Sequence, residues 1–168
     1  MKKNKILLLG IGNCGRADDG LGWAFLDEIE KNLPTNIDLE YKYQLQVEDA
    51  ELASHYEQVF FIDAHKSNLK NGFIIEQCKP IETHHFSTHE LPPETVLYLT
   101  NQMYNKFPES YIIGITGIEY KLKMGLSDLA KNNLQKAIHQ FNKILKTKEP
   151  ELTTKVSICS ISPTTTIK

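Results

Sequence analysis

Three uninterrupted apolar runs decide what this chain can fold into: KILLLG (5–10), VFFIDA (59–64) and SYIIGITG (110–117). A strand with one face in water alternates apolar and polar residues. A run without alternation is buried on both faces, as in a parallel sheet covered by helices. Parallel neighbours need long crossovers, and the segments between these runs read as helices. DDGLGWAFLDEIEKNL (18–33) sets Leu21, Phe25, Ile29 and Leu33 at helical spacing, and Pro34 stops it. Pro92 and Pro93 open a helix to about Lys106. GLSDLAKNNLQKAIHQFNKILK (125–146) places Leu126, Leu129, Leu134, Ile138, Phe141 and Leu145 along one face.

Three weaker elements complete the order. IDLEYKYQL (37–45) alternates enough for a strand, and VEDAELASHYEQ (47–58) reads as a short helix. GFIIEQCKP (72–80) is a strand whose polar outward residues place it at a sheet edge. Strands alternating with helices predict an α/β fold, a three-layer α/β/α sandwich around a mostly parallel, twisted five-stranded sheet. We expect a single domain over residues 1–147 and a loose Thr/Ser/Lys-rich tail over 148–168.

Composition narrows the partners. A formal net charge of −2 gives no electrostatic footprint for nucleic acid or an anionic membrane. No apolar run approaches a membrane span. The opening MKKNKILLLGIGN has a basic patch and a short apolar stretch, but Gly10, Gly12, Asn13 and Arg16 follow where a signal peptide would extend its apolar region. The expectation is the first core strand of a cytoplasmic protein. Cys14, Cys78 and Cys159 are odd in number and widely spaced, which fits a reducing compartment and gives no zinc-site spacing. Cys14 is either a small loop residue or a nucleophile.

The loop after the first strand reads two ways. Gly10, Gly12 and Gly15 match G-x-G-x-x-G, the turn that cradles a pyrophosphate at a helix N-terminus. Asp18 and Asp19 follow at once, and two carboxylates there would repel a phosphate and compete for the same N–H donors. Glu40, the candidate acid for the ribose-binding position, stands at the wrong distance. One of the pair could simply cap the helix, as Asp often does. In open α/β sheets, however, ligands bind at the carboxyl ends of the strands. Asp18 and Asp19 follow the first strand, Asp63 ends the third, and the histidine-rich IETHHFSTHELPPE follows the fourth.

Each of these residues has a bland reading: Asp63 can cap a turn, Ser87 and Glu90 have the spacing of a capping box, His84 and His85 can be solvated, and His55 and His139 fit helix surfaces. Two carboxylates and a histidine at neighbouring strand ends nonetheless make a set suited to a divalent metal.

LLLGIGNCGRADDGLGWAFLDEIE resembles the signature of NiFe-hydrogenase maturation endopeptidases, G-(I/V)-G-N followed a few residues on by an acidic pair and G-(L/V)-G. The resemblance continues through YQLQVEDAELASHYEQVFFIDA, STHELPPETVLYL and IIGITGIEYKLKMGLSDLAKNNL, four blocks in order over residues 5–145. It implies a twisted sheet sandwiched by helices and an endopeptidase that removes the C-terminal extension of a hydrogenase large-subunit precursor after nickel insertion. Carried over by position, the family's metal triad is Asp19, Asp63 and His89. The nickel is then presented by the precursor, and no tightly bound organic cofactor is expected. Asp18 is a candidate for general-base or supporting work and Arg16 for binding the precursor's C-terminal segment. His65, His84 and His85 lie close enough in sequence to be alternative ligands.

Three other readings stay open: a non-proteolytic nickel-sensing assembly chaperone, a nucleotide-binding protein using Gly10, Gly12 and Gly15, and a cysteine peptidase using Cys14 with His89.

Overall fold

The computed structural model describes residues 4–82 and 90–148. Its strands are β1 (Ile6–Ile11), β2 (Ile37–Lys42), β3 (Gln58–His65), β4 (Phe73–Gln77) and β5 (Glu109–Thr116). Its helices are α1 (Leu21–Glu30), α2 (Asp49–Ala53), α3 (Pro93–Tyr104) and α4 (Asp128–Lys148). The sheet order is β2-β1-β3-β5-β4. The first four of these run parallel, and β4 lies antiparallel on β5 at the edge, where its outward polar residues placed it.

The apolar runs fill both faces of the sheet. Ile6, Leu8, Phe60, Ile62, Ile113 and Ile115 pack under α1 and α4. Leu7, Leu9, Val59 and Phe61 face α2 and α3 on the other side. Phe141 of α4 meets Phe25 and Phe60 edge-on, at 5.5 and 5.2 Å between ring centroids. Such pairs add about 0.5–1.5 kcal/mol each beyond the burial itself. Gly22 lets α1 lie directly on the sheet: a Cβ there would run into the carbonyls of Ile11 and Ile62. Among the described residues, no helix is long and apolar enough to cross a membrane.

Two expectations shift in detail. The continuous helix expected from Asp18 begins as a 3-10 turn (Ala17–Gly20) and becomes α-helical only at Leu21. On α4, Leu129 is 43% exposed, and Ala130, Leu134, Ala137 and Phe141 form the buried line instead. Leu126, Ile138 and Leu145 still pack against that line from its edges.

The chain moves from β1 outward to β2, then back past β1 to β3. The direction reverses between β1 and β3, so their carboxyl ends form the switch point at which such folds hold ligands.

Candidate metal centre

Beyond β1 the chain turns back on itself. Gly12 has φ +130°, and a Cβ there would strike the Asp19 carbonyl oxygen. The Asn13 N–H donates to that same carbonyl at 3.1 Å. The glycine pattern therefore lets this loop close on its own backbone, without any phosphate.

The two adjacent aspartates do different work. Asp18 is fully buried and accepts four hydrogen bonds. The Ser127 N–H donates to Oδ1 at 2.7 Å; the N–H groups of Ile118 and Glu119 and the Ser127 hydroxyl donate to Oδ2 at 2.8, 3.0 and 2.8 Å. Burial alone would raise its pKa, but the donors from Glu119, Ile118 and Ser127 outweigh it and hold the carboxyl below the usual range. Both oxygens are occupied, so Asp18 anchors the 118–127 segment to the first loop. Backbone bonds extend the seam: the Asp18 N–H donates to Glu119, the Ala17 N–H to Lys123, and the Lys123 N–H to Gly15. Ala17 accepts a left-handed φ of +50° to make this turn. Arg16, on the same loop, is exposed and reaches the Tyr120 carbonyl at 3.5 Å.

Asp19 is half-buried, and its charge acts on Asp63 from across the switch point. Asp63, near the end of β3, accepts one hydrogen bond among the described residues, from the Ala64 N–H to Oδ1 at 2.7 Å. Burial, with smaller contributions from Asp19 and Glu90, pushes its pKa up to about 7 against the pull of that one donor. A cleft of about 420 Å³ opens beside it, with Ile11, Leu45, Leu91 and Pro92 as walls and Asp63 and Glu90 as its acidic groups. Among the described residues none of the ion pairs involves Asp19, Asp63 or Glu90. Two carboxylates, Asp63 and Glu90, line this apolar cleft, and Asp19 adds its charge to Asp63; carboxylate oxygens of this kind are ligands for divalent metals.

His89, with His84 and His85, lies outside the described residues. Among the described residues no group of three His, Cys, Asp or Glu side chains comes together to hold a metal. His65, at the end of β3, has its Nδ1 3.1 Å from the Ser67 N–H and 3.4 Å from the Ser67 carbonyl oxygen. Cys14 is exposed on the loop. His55 and His139 are exposed on or beside helices, as expected.

Two residues escaped the sequence reading. Glu90 matched a capping box with Ser87, but Ser87 lies outside the described residues and α3 starts after Pro92 without a side-chain cap. Glu90 instead lines the cleft. Tyr120 stands inside the fourth block without a role of its own, yet its hydroxyl is buried, and burial with the charges of Asp18, Asp19 and Asp63 raises its pKa.

This arrangement is that of a doubly wound α/β protein with an acidic crevice at its switch point. Its relatives give that class a name. The chain is 29% identical over 152 residues to a Methanocaldococcus jannaschii protein named "Putative hydrogenase maturation protease", covering 82% of this chain and 94% of that one. Among solved structures it is similar in fold to the hydrogenase maturating endopeptidase HybD from E. coli, with a TM-score of 0.69 at 20% identity, over 86% of this chain and 93% of that one. It is also similar to the NiFe-hydrogenase maturation protease HycI from Thermococcus kodakarensis, with a TM-score of 0.65 at 24% identity, over 85% and 93%. No protein-family model matches the chain. In sequence this chain is similar to a protein named as a hydrogenase maturation protease, and in fold to solved structures of such proteases, the resemblance its four motif blocks led us to expect.

Proposed function

We propose that this chain is a hydrogenase maturation endopeptidase that removes the C-terminal extension of a hydrogenase large-subunit precursor once nickel is in place. The observation that carries this reading is the pair Asp19 and Asp63, one from the first loop and one from near the end of β3, both at the switch point of the sheet with no ion-pair partner among the described residues. The likeness to named maturation proteases over most of the chain supports it.

The nickel is part of the substrate. Asp19 and Asp63 contribute carboxylate oxygens to it and His89 contributes an imidazole, three ligands from the enzyme added to those of the precursor. Asp63 does this through Oδ2, because its Oδ1 is held by the Ala64 N–H. Docking on the metal holds the precursor so that the extension lies along the apolar cleft beside Asp63, and the scissile peptide is confined near an attacking water. Arg16, exposed on the first loop, binds the C-terminal segment. Asp18 keeps the loop that carries Asp19 in place.

The test starts with calorimetric titration of the purified protein with Ni²⁺, Cd²⁺ and NAD. One metal per chain, lost in Asp63→Asn and in His89→Ala, is the expected result; NAD binding without a metal effect would overturn it. The nickel-loaded precursor is then incubated with wild type and both variants. A single cut near its C-terminus, absent with the variants, is expected. Stable binding without a cut would favour the assembly chaperone. Full cleavage by Cys14→Ser is also expected; its loss would revive the cysteine peptidase.

A further inference from the structure

The stretch from Ile118 to Met124, on the way from β5 to α4, exposes three large apolar side chains. Leu122 is 88% exposed, Met124 72% and Ile118 60%. Single exposed apolar residues are ordinary, but several large ones on one short stretch mark an interaction site. The stretch is also held in shape. The Ala17 N–H donates to the Lys123 carbonyl at 2.7 Å, the Lys123 N–H to Gly15 at 3.1 Å, and the N–H groups of Ile118 and Glu119 to Asp18. Tethered in this way to the first loop, the backbone is already ordered, so little of its freedom remains to be lost on binding a partner.

Cations gather on the same stretch, each tied to it by a contact. The Arg16 guanidinium reaches the Tyr120 carbonyl at 3.5 Å, and the Lys66 ammonium lies over the Tyr120 ring, 5.5 Å from its centroid. Lys121 and Lys123 belong to the stretch and share one acid, Glu119, at 3.8 and 3.5 Å. All four cations are exposed. The other nearby acids are withdrawn: Asp18 is fully buried with both oxygens occupied, and Asp19 is half-buried. The charge that a partner meets here is therefore positive, opposite in sign to the formal net charge of −2 on the whole chain. Nor does this surface belong to the cleft beside Asp63. Leu45 and Leu91 of that cleft belong to the core under α2 and α3, whereas this stretch leads into α4, on the other face of the sheet.

We propose that residues 118–124 are a docking face for the folded body of the precursor, which meets them with an apolar patch among acidic side chains. The inference takes the identity of the partner from the endopeptidase reading above and deepens it: the extension occupies the cleft, and the body occupies this stretch. Apolar contacts supply affinity at such an interface, and complementary charges speed the encounter and select the partner. The face itself needs no metal ion.

The experiment measures binding of a nickel-loaded hydrogenase large-subunit precursor to the immobilised full chain by surface plasmon resonance, with cutting followed in parallel. Leu122→Ser combined with Met124→Ser should weaken binding by roughly ten-fold or more and raise KM for cutting with kcat unchanged. Lys121→Glu combined with Lys123→Glu should slow association by roughly ten-fold or more at low salt, and the loss should shrink at high salt. Phe107→Ser removes an apolar side chain that is 71% exposed, ahead of β5 at the opposite end of that strand, and should change neither. Unchanged binding in both variants of the stretch, with wild type binding and cutting, would overturn the docking face and leave the endopeptidase reading intact. An equal loss in Phe107→Ser would overturn it as well, since any exposed apolar area would then serve. Binding with the expected losses but no cut would keep the docking face and overturn the endopeptidase reading. A precursor neither bound nor cut by wild type would overturn both.

Discussion

Asp18 is fully buried and Asp63 half-buried at the same end of the sheet, and their environments drive them in opposite directions. Asp18 has four donors and stays ionised; Asp63 has one among the described residues and holds its proton up to about pH 7. Burial alone would put the higher pKa on the more buried of the two. The count of donors reverses that. A carboxylate given all the hydrogen bonds it can accept is part of the scaffold, whereas one given a single bond and two acidic neighbours is short of positive charge.

The largest effect that could break this contrast is on Asp63. Asp63→Asn should lower precursor cleavage by at least ~100-fold, since a ligand is lost and not just an outer partner. The metal-free protein should unfold no earlier at pH 8 than wild type, because the variant removes a charge that the fold disfavours. An unfolded Asp63→Asn would mean that the residue is scaffold after all. Next comes Asp18→Ala, which leaves Ile118, Glu119 and Ser127 without an acceptor and should cost about 3–5 kcal/mol in denaturant unfolding. A cost below about 1 kcal/mol would show that the seam holds without its carboxylate.

A smaller effect follows from pH. The folded pKa of Asp63 lies above the unfolded value, so between about pH 4 and pH 7 the native state binds more protons than the unfolded one. The Asp63 contribution to stability is thus present at acid pH and lost as pH rises through about 7, a change on the order of a few kcal/mol. Denaturant unfolding of metal-free wild type and Asp63→Asn at pH 5 and pH 8 checks this, because the variant should lack that part of the slope. The smallest effect is expected from Ser127→Ala. It removes one of the four bonds to Asp18 and the cap to the Ala130 N–H at the start of α4. The Ser127 N–H stays in place, so the loss should be about 1–3 kcal/mol by calorimetric melting.

Much of the architecture was legible because continuous apolar runs admit few alternatives. KILLLG, VFFIDA and SYIIGITG became β1, β3 and β5, neighbours in the centre of the sheet. Boundaries were less legible. IDLEYKYQL promised a strand to residue 45, but β2 ends at Lys42, whose ammonium turns to Asp49 at 3.0 Å. The site divides along a similar line. That Asp63 lies near the end of a buried strand can be read from a short sequence window. That Asp18 is an anchor cannot, because its donors lie about a hundred residues away, at Ile118, Glu119 and Ser127. For the same reason Tyr120 looked like any loop aromatic: what sets it apart is the absence of an acceptor, and an absence leaves no sequence pattern.

The long span of the Asp18 seam also bears on the order of folding. Closing a loop of that length is slow compared with forming a helix or an adjacent strand pair, and here it requires β5 and the start of α4 to have arrived. A nascent chain that has exposed its first loop and β3 still has Asp19 on an untethered turn. Cation binding should therefore emerge only after residue 127 has been synthesised. In a series of stalled nascent chains, Cd²⁺ protection of the first loop should begin abruptly at that length.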